Sequence, residues 1–328
     1  MPVIANGLIF SLAIAYAALM VGSILRLLSL RRKTSVDVAS AGVATKRRGS
    51  LLVWWILLFA FTVALVCGRP GIATLFCVAS LLSLREFQRI FRRRSVDAPL
   101  VWLTLILLAV GHYWVIGTSD AMWSVGAFPF VALAAVTAVE LATVRSNDYL
   151  RTTAGFYWAG ILIVLGPSHA VLTMNFPAAT GAWSAGAVGW CIFLVLLTET
   201  NDIAQALVGR VWGRHKLAPM LSPGKTWEGL LGGMMVSIVL AVASAPWLTT
   251  LTFDRPPWSG LLISAGAGVI ISLTGFLGDV NISGLKREAR LKDSGTLLPG
   301  MGGMLDRMDS LTLSAPAFYY FVHWLHRW

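Results

Sequence analysis

Charge is what this chain has least of. Only 12% of its 328 residues are Asp, Glu, Lys or Arg, against 57% that are hydrophobic, whereas soluble domains carry about 25% charged residues. So sparse a polar complement cannot cover a water-soluble globule, and the chain reads as an integral membrane protein. Cysteine is scarce too. Cys67, Cys77 and Cys191 lie in or at the ends of apolar runs with no metal-ligand spacing. That argues against a disulfide framework or a zinc module and leaves them as small core hydrophobes. The five histidines form no cluster, no internal repeat is visible, and the nucleotide-loop spacing G-x-x-x-x-G-K-[ST] is missing.

The charge that is present is lopsided, with a formal net value of +11. Its Lys and Arg residues sit in short clusters between apolar runs instead of forming a stripe on a soluble surface. That pattern argues against a nucleic-acid partner and for orientation in a lipid bilayer. Apolar windows of spanning length fall at about 4–27, 51–67, 71–84, 100–116, 123–141, 153–171, 183–197, 230–247, 258–277 and 311–325. With the N-terminus outside, every Lys and Arg except Arg69, Arg255 and Arg327 lies on the inner side, as the positive-inside rule requires. The expected fold is therefore all-α, a polytopic transmembrane helical bundle of about ten spans. Residues Arg26, Arg31, Arg32 and Lys33 follow the first apolar run, which fits a retained span and not a signal peptide.

Three parts are expected: 1–50, the first span and a basic cytoplasmic loop; 51–197, the N-terminal and middle helices; and 198–328, a catalytic membrane domain. The Ser, Ala, Gly and Thr content of 31–48 predicts a flexible loop. Residues 85–94 (REFQRIFRRR) predict an amphipathic exit, with Phe87, Ile90 and Phe91 at helical spacing and the arginines at lipid headgroups.

Two polar islands interrupt the oil, both on the predicted inner side. In the later one, Lys286, Arg287, Arg290 and Lys292 lie within seven residues, a cluster able to neutralise phosphate groups. Taken alone, it also reads as an ordinary basic loop obeying topology. Residues 299–303 (PGMGG) form a turn that brings backbone N–H groups near an anion ahead of a helix N-terminus. Asp306 and Asp309 share a helix face, with Asp279 at the inner end of the preceding span. Such carboxylates suit Mg²⁺ held jointly with nucleotide phosphates. They read equally as helix-capping acids, with Asp306 paired to Arg307 or Lys292. In the earlier island, Glu199 and Asp202 share a face, and residues 222–226 (SPGKT) read as a turn carrying hydroxyl and ammonium donors. His215, between Arg214 and Lys216, reads as solvated or anion-facing.

The run Ser283-x-Leu285-Lys286-Arg287, four residues, Lys292-Asp293-x-Gly295-x-x-Leu298-Pro299-x-x-Gly302-Gly303-Met304-x-Asp306-Arg307-Met308-Asp309 resembles the C-terminal signature of phosphatidate cytidylyltransferases. Gly209-Arg210-x-x-Gly213-x-His215-Lys216-Leu217-x-Pro219 and Ser222-Pro223-x-Lys225-Thr226-x-Glu228-Gly229 are similar to that family's second motif, and Glu86-Phe87 extends the likeness more weakly. The chain departs from the family in two places. Met301 stands where the family has histidine, and the usual Asp-x-x-Ala-Tyr becomes Asp202-Ile203-Ala204-Gln205-Ala206.

The resemblance implies that CTP and phosphatidate react to give CDP-diacylglycerol and pyrophosphate in phospholipid biosynthesis. It implies a catalytic set of Asp279, Asp306, Asp309, Lys292 and Asp293, with Mg²⁺ on Asp279, Asp306 and Asp309 and a monovalent cation such as K⁺ sharing the site. Substrate phosphates would meet Lys286, Arg287, Arg307, Ser222, Lys225 and the turn at Gly302 and Gly303. It further implies a cell (inner) membrane location, a cytoplasmic active site and a homodimer. Two other functions fit the same residues: a divergent paralogue acting on another lipid phosphate or nucleotide, and a non-catalytic binding or transport protein. A transporter would place its carboxylates near the mid-membrane, whereas these cluster at one surface.

Overall fold

The computed structural model describes residues 6–31, 38–92, 99–119, 123–143, 149–181, 183–252 and 256–326. Helix dominates because most of the chain is a series of long apolar runs, and in lipid a helix satisfies its own backbone. In chain order the helices are α1 (Asn6–Arg31), α2 (Val38–Val66), α3 (Gly68–Arg92), α4 (Pro99–Thr118) and α5 (Trp123–Thr143). Next, α6 (Tyr149–Ala159) passes through a widened turn, Gly160–Leu165, into α7 (Gly166–Leu172). Then come α8 (Gly189–Val211), α9 (Trp227–Leu248), α10 (Pro257–Glu288), the single turn α11 (Leu305–Met308) and α12 (Leu311–Leu325). Among the described residues, nine helical segments are long and apolar enough to cross a membrane, and the protein is a multi-pass membrane bundle.

Two details depart from the sequence reading, and one expected window keeps its bounds. Residues 38–48, expected as a flexible loop, are the first turns of α2; their Ala, Lys and Arg content favours helix, and they run unbroken into an apolar span. The window at 311–325 is α12, 15 residues, or about 22 Å at 1.5 Å per residue, with Phe318, Tyr319 and Val322 buried within the bundle. Finally, the segment 222–226 is not an isolated turn. It is strand β2 (Ser222–Thr226), antiparallel to β1 (Lys216–Ala218), with Lys216 opposite Thr226 and Ala218 opposite Ser222.

This hairpin is the one sheet among the described residues, and Glu228 ties it at its base. The Glu228 carboxylate accepts the backbone N–H groups of Arg214 and His215 and lies 2.6 Å from His215 Nδ1. The exposed His215 thus closes a hairpin. Thr226 Oγ1 accepts the N–H of Gly229 at 3.1 Å and caps α9.

The 32 residues of α10 span about 48 Å, well beyond a hydrocarbon core of ~30 Å. Its last turns therefore stand proud at one end of the bundle, carrying Lys286 and Arg287. Helix α10 packs against α9, α8 and α12, and Gly278 lets it approach closely: a Cβ there would lie 2.4 Å from the carbonyl oxygen of Asp309. The hairpin, the end of α8 and the segment 289–310 meet α10 at this polar end.

Candidate functional site

Helix α8 carries buried Thr198, Asn201 and Gln205 on one face, a polar stripe at i, i+3 and i+7 inside an apolar bundle. Asn201 Oδ1 accepts from Ser237 of α9 at 3.2 Å and from Ser272 of α10 at 2.8 Å, so one amide links three helices. Beside this stripe, Asp202 Oδ2 accepts from Ser310 Oγ at 2.5 Å. From the hairpin, Lys225 reaches inward. Its ammonium lies 2.7 Å from Asp279 Oδ2, 3.2 Å from Gln205 Oε1 and 5.7 Å from the centre of the Phe276 ring. Asp309, 9% exposed, shares the electrostatic environment of Asp279 and Asp202.

The charges here outnumber their partners. Burial raises the Asp309 carboxyl well above the usual range, and repulsion from Asp279 and Asp202 raises it further, against the pull of Lys286 and Arg307. Burial pulls Lys225 down, but the neighbouring Asp279 and Asp202 outweigh it and hold the ammonium above its ordinary value. Arg307 feels Glu199, Asp202 and Asp309. Two polar atoms in this cluster, Asp202 Oδ1 and Arg307 Nε, are buried without a hydrogen-bond partner.

A second group of carboxylates does a different job. Asp306 Oδ1 receives the Lys286 ammonium at 2.7 Å. Its Oδ2 accepts the N–H groups of Ser294 and Gly303, each at 2.9 Å, and Ser294 Oγ at 3.0 Å. Burial pushes this carboxyl up, but Lys286 and these donors outweigh it and hold it below the usual range. Glu86, 3% exposed on α3, accepts the N–H groups of Met304 at 2.9 Å and Leu305 at 3.0 Å. Ser294 Oγ also lies 2.8 Å from Glu86 Oε2. That hydroxyl has one proton and so serves Glu86 and Asp306 in turn.

The glycine turn is thus wrapped around two of the protein's own carboxylates. A Cβ on Gly303 would fall 2.1 Å from Glu86 Oε2, and one on Gly302 would fall 2.6 Å from Asp306 Oδ2. Gly302 also takes a φ of +90°, a conformation that favours glycine. The N–H groups at Gly303 and beyond, read from sequence as an anion cradle, already hold anions.

Of the sequence-predicted residues, Asp279, Asp309 and Lys225 are brought together, while Asp306, Lys286, Gly302 and Gly303 form the neighbouring clamp. Asp306 pairs with Lys286 and not with Arg307 or Lys292. Arg287 is exposed and donates to the Leu221 and Leu291 carbonyls, linking α10 to the hairpin. Ser222 opens β2 half-buried, and Lys292 and Asp293 are exposed on the loop leaving α10. The expected three-aspartate metal site is not preformed: among the described residues no three His, Cys, Asp or Glu side chains converge as a metal cage. Asp306 is turned to its own loop.

Two residues outside the predicted set belong here. Asp202 was legible as a face partner of Glu199 but not as a neighbour of Asp279. Glu86 had a signal of its own, sharing a helix face with buried Ile90, which is no place for an unpaired acid.

Comparison with known proteins places these residues in a wider group. The model of a family described as the cytidylyltransferase family matches residues 48–325. The Escherichia coli K12 protein YnbB is 34% identical over 321 residues, covering 96% of this chain and 98% of the relative. A phosphatidate cytidylyltransferase of Haemophilus influenzae is 44% identical over 131 residues, 40% of this chain and 44% of that protein. Another, from Staphylococcus haemolyticus, is 28% identical over 263 residues, 80% of this chain and 93% of that protein.

Proposed function

The chain belongs to the cytidylyltransferase family, and on that premise we propose that it transfers the cytidylyl group of CTP to phosphatidate, forming CDP-diacylglycerol and releasing pyrophosphate. The observation that carries this reading is the meeting of Lys225, Asp202, Asp279 and Asp309 at the polar end of a membrane bundle, next to the Lys286–Asp306 clamp. In the reaction a lipid phosphate oxygen bonds to the α-phosphorus of CTP while the bond from that phosphorus to the bridging oxygen of pyrophosphate breaks. A phosphomonoester oxygen is already an anion at neutral pH, so the protein's task is to bring two polyanions together in line and neutralise them. Lys225 and Arg307 face the cluster, and the exposed Arg287 and Lys292 stand at its approach to draw in phosphate.

The donor chemistry fits Mg²⁺. Asp202, Asp279 and Asp309 are hard oxygen donors, one buried oxygen of Asp202 has no partner, and Mg²⁺ commonly takes one or two carboxylates together with substrate phosphates. A preformed three-donor cage is therefore not needed. When bound there, the ion would neutralise nucleotide phosphates and the departing pyrophosphate; the same oxygen set suits K⁺. Lys225 holds Asp279 until phosphate arrives. On this reading the polar end faces the cytoplasm, where CTP is soluble, and the acyl chains remain among the helices. The inner-membrane location and the homodimer are part of the same proposal, the latter checked by cross-linking in membranes.

The test is the purified chain with Mg²⁺, labelled CTP and phosphatidate. Labelled CDP-diacylglycerol is expected from the parent protein and none from Asp279→Asn; an inactive parent, under conditions where a relative works, sinks the proposal. A second reading, the same transfer to a different lipid phosphate, is favoured by Gln205. Its carbonyl oxygen meets the Lys225 ammonium inside the cluster, so the ammonium's surroundings include a neutral acceptor that bears on which headgroup fits. Product formation with another lipid phosphate and not with phosphatidate would select it.

A further inference from the structure

The reaction site is not the only feature at this end of the bundle. A cavity of about 460 Å³ opens between α3, α6 and α10, within the 300–1,000 Å³ range of ligand pockets. Its walls include Phe87, Phe91, Trp158 and Leu285. Phe87 stacks on Phe91 at 5.6 Å and on Trp158 at 5.4 Å. Asn281, Leu285 and Glu288 contribute from α10, whereas Asp279 belongs to the carboxylate cluster, Ser283 Oγ lies 3.3 Å from Asp279 Oδ1 and Lys286 pairs with Asp306 in the clamp. At 100° per residue these two sets occupy opposite faces of the helix. The cavity is therefore separated from the carboxylate cluster by the thickness of α10.

The lining combines an aromatic wall with a charged rim. Arg151 is exposed at the start of α6. Glu288 is the one acid among the lining residues, and it is already engaged in an interaction of its own. Arg89 of α3 and Arg290 beyond α10 are exposed at the same end. An apolar slot whose mouth is basic, at the level where spanning helices leave the hydrocarbon, matches an amphiphile with an anionic head and an alkyl tail. Phe87 and Phe91, at helical spacing on the expected exit helix, make part of the wall of this slot.

We propose that the cavity between α3, α6 and α10 is a binding site for one anionic bilayer phospholipid, its headgroup on Arg151 and an acyl chain against Phe87, Phe91 and Trp158. This site is separate from the one that takes the reacting lipid. Phe87 directly follows Glu86, so the bound chain lies one residue from the clamp that holds Met304 and Leu305.

The full chain, extracted from vesicles of equal phosphatidylglycerol and phosphatidylcholine, is weighed by native mass spectrometry. Phosphatidylglycerol is a phosphodiester and no substrate for nucleotidyl transfer, so the readout does not depend on activity. Wild type is expected to retain one phosphatidylglycerol in preference to phosphatidylcholine. Arg151→Gln should lower that preference about fivefold, the effect of one surface cation on an anionic lipid, and Ala154→Trp, which fills the slot, should lower retention of both lipids. Equal retention in wild type and Arg151→Gln overturns the proposal, including if Ala154→Trp fails to fold. Displacement of the lipid by millimolar inorganic phosphate also overturns it, since the site would then be one for a free anion.

Discussion

The Lys225 ammonium stands 2.7 Å from Asp279 Oδ2, joining a short hairpin to the longest helix of the bundle. Asp202 and Asp309 also act on it. It is the centre of a cluster in which acids exceed bases, and most of the testable behaviour of the site follows from that excess.

Replacing Lys225 with Met leaves Asp279 without its ion-pair partner beside two further carboxylates. Breaking a buried pair on one side costs roughly 3–5 kcal/mol, and partial exposure of this one places the loss at the lower end. Denaturation in detergent should show that loss, and the cytidylyl-transfer assay should show activity reduced to background.

For Asp309 the expected effect on stability is opposite. Its carboxyl is raised by burial and by Asp279 and Asp202, so the folded state binds a proton more readily than the unfolded chain. Stability is therefore lost as pH climbs from the unfolded value towards the folded one, and below the unfolded value the penalty vanishes. Asp309→Asn should melt higher than wild type above that window, by about 2–4 °C per kcal/mol relieved, and equally at low pH. It should also lose activity. Melting curves across pH check the sign.

The carboxyl of Asp306, held low by Lys286 and the loop N–H groups despite its burial, contributes stability that is present above the unfolded pKa and lost as pH falls through the folded one. Asp306→Asn should therefore lower the melting temperature at neutral pH, with the difference from wild type shrinking in strong acid.

Glu86→Ala removes the acceptor for the N–H groups of Met304 and Leu305. As a positioning residue, Glu86 should affect kcat more than KM; a misplacement of about 1 Å costs on the order of 100-fold. Hydrogen exchange at residues 303–305 should accelerate in the variant. Unchanged exchange with lost activity would mean that Glu86 acts in some other way.

Gly302→Ala meets both a left-handed backbone angle and the Asp306 carboxylate. A cost of about 1–3 kcal/mol is expected from the backbone alone, measured by denaturation. Gly111→Ala is the control, since its added Cβ meets nothing within 4 Å.

Much of this protein is written in local pattern. Run lengths of apolar residues determine a helical membrane bundle because lipid leaves the backbone few alternatives. The two polar islands, their basic clusters and the i, i+3 acid pairs are likewise legible, because spacing along a helix fixes which side chains share a face. It does not fix what lies opposite that face. Asp306 and Asp309 share a helical stretch, yet one pairs with Lys286 and the loop while the other joins Asp202 and Asp279. Glu86 meets residues more than two hundred positions away, and Lys225 finds Asp279 only because a hairpin folds over the end of α10. Those pairings depend on how helices pack and loops close, so the division of the acids between the cluster around Lys225 and the clamp around the glycine turn was decided by the tertiary structure.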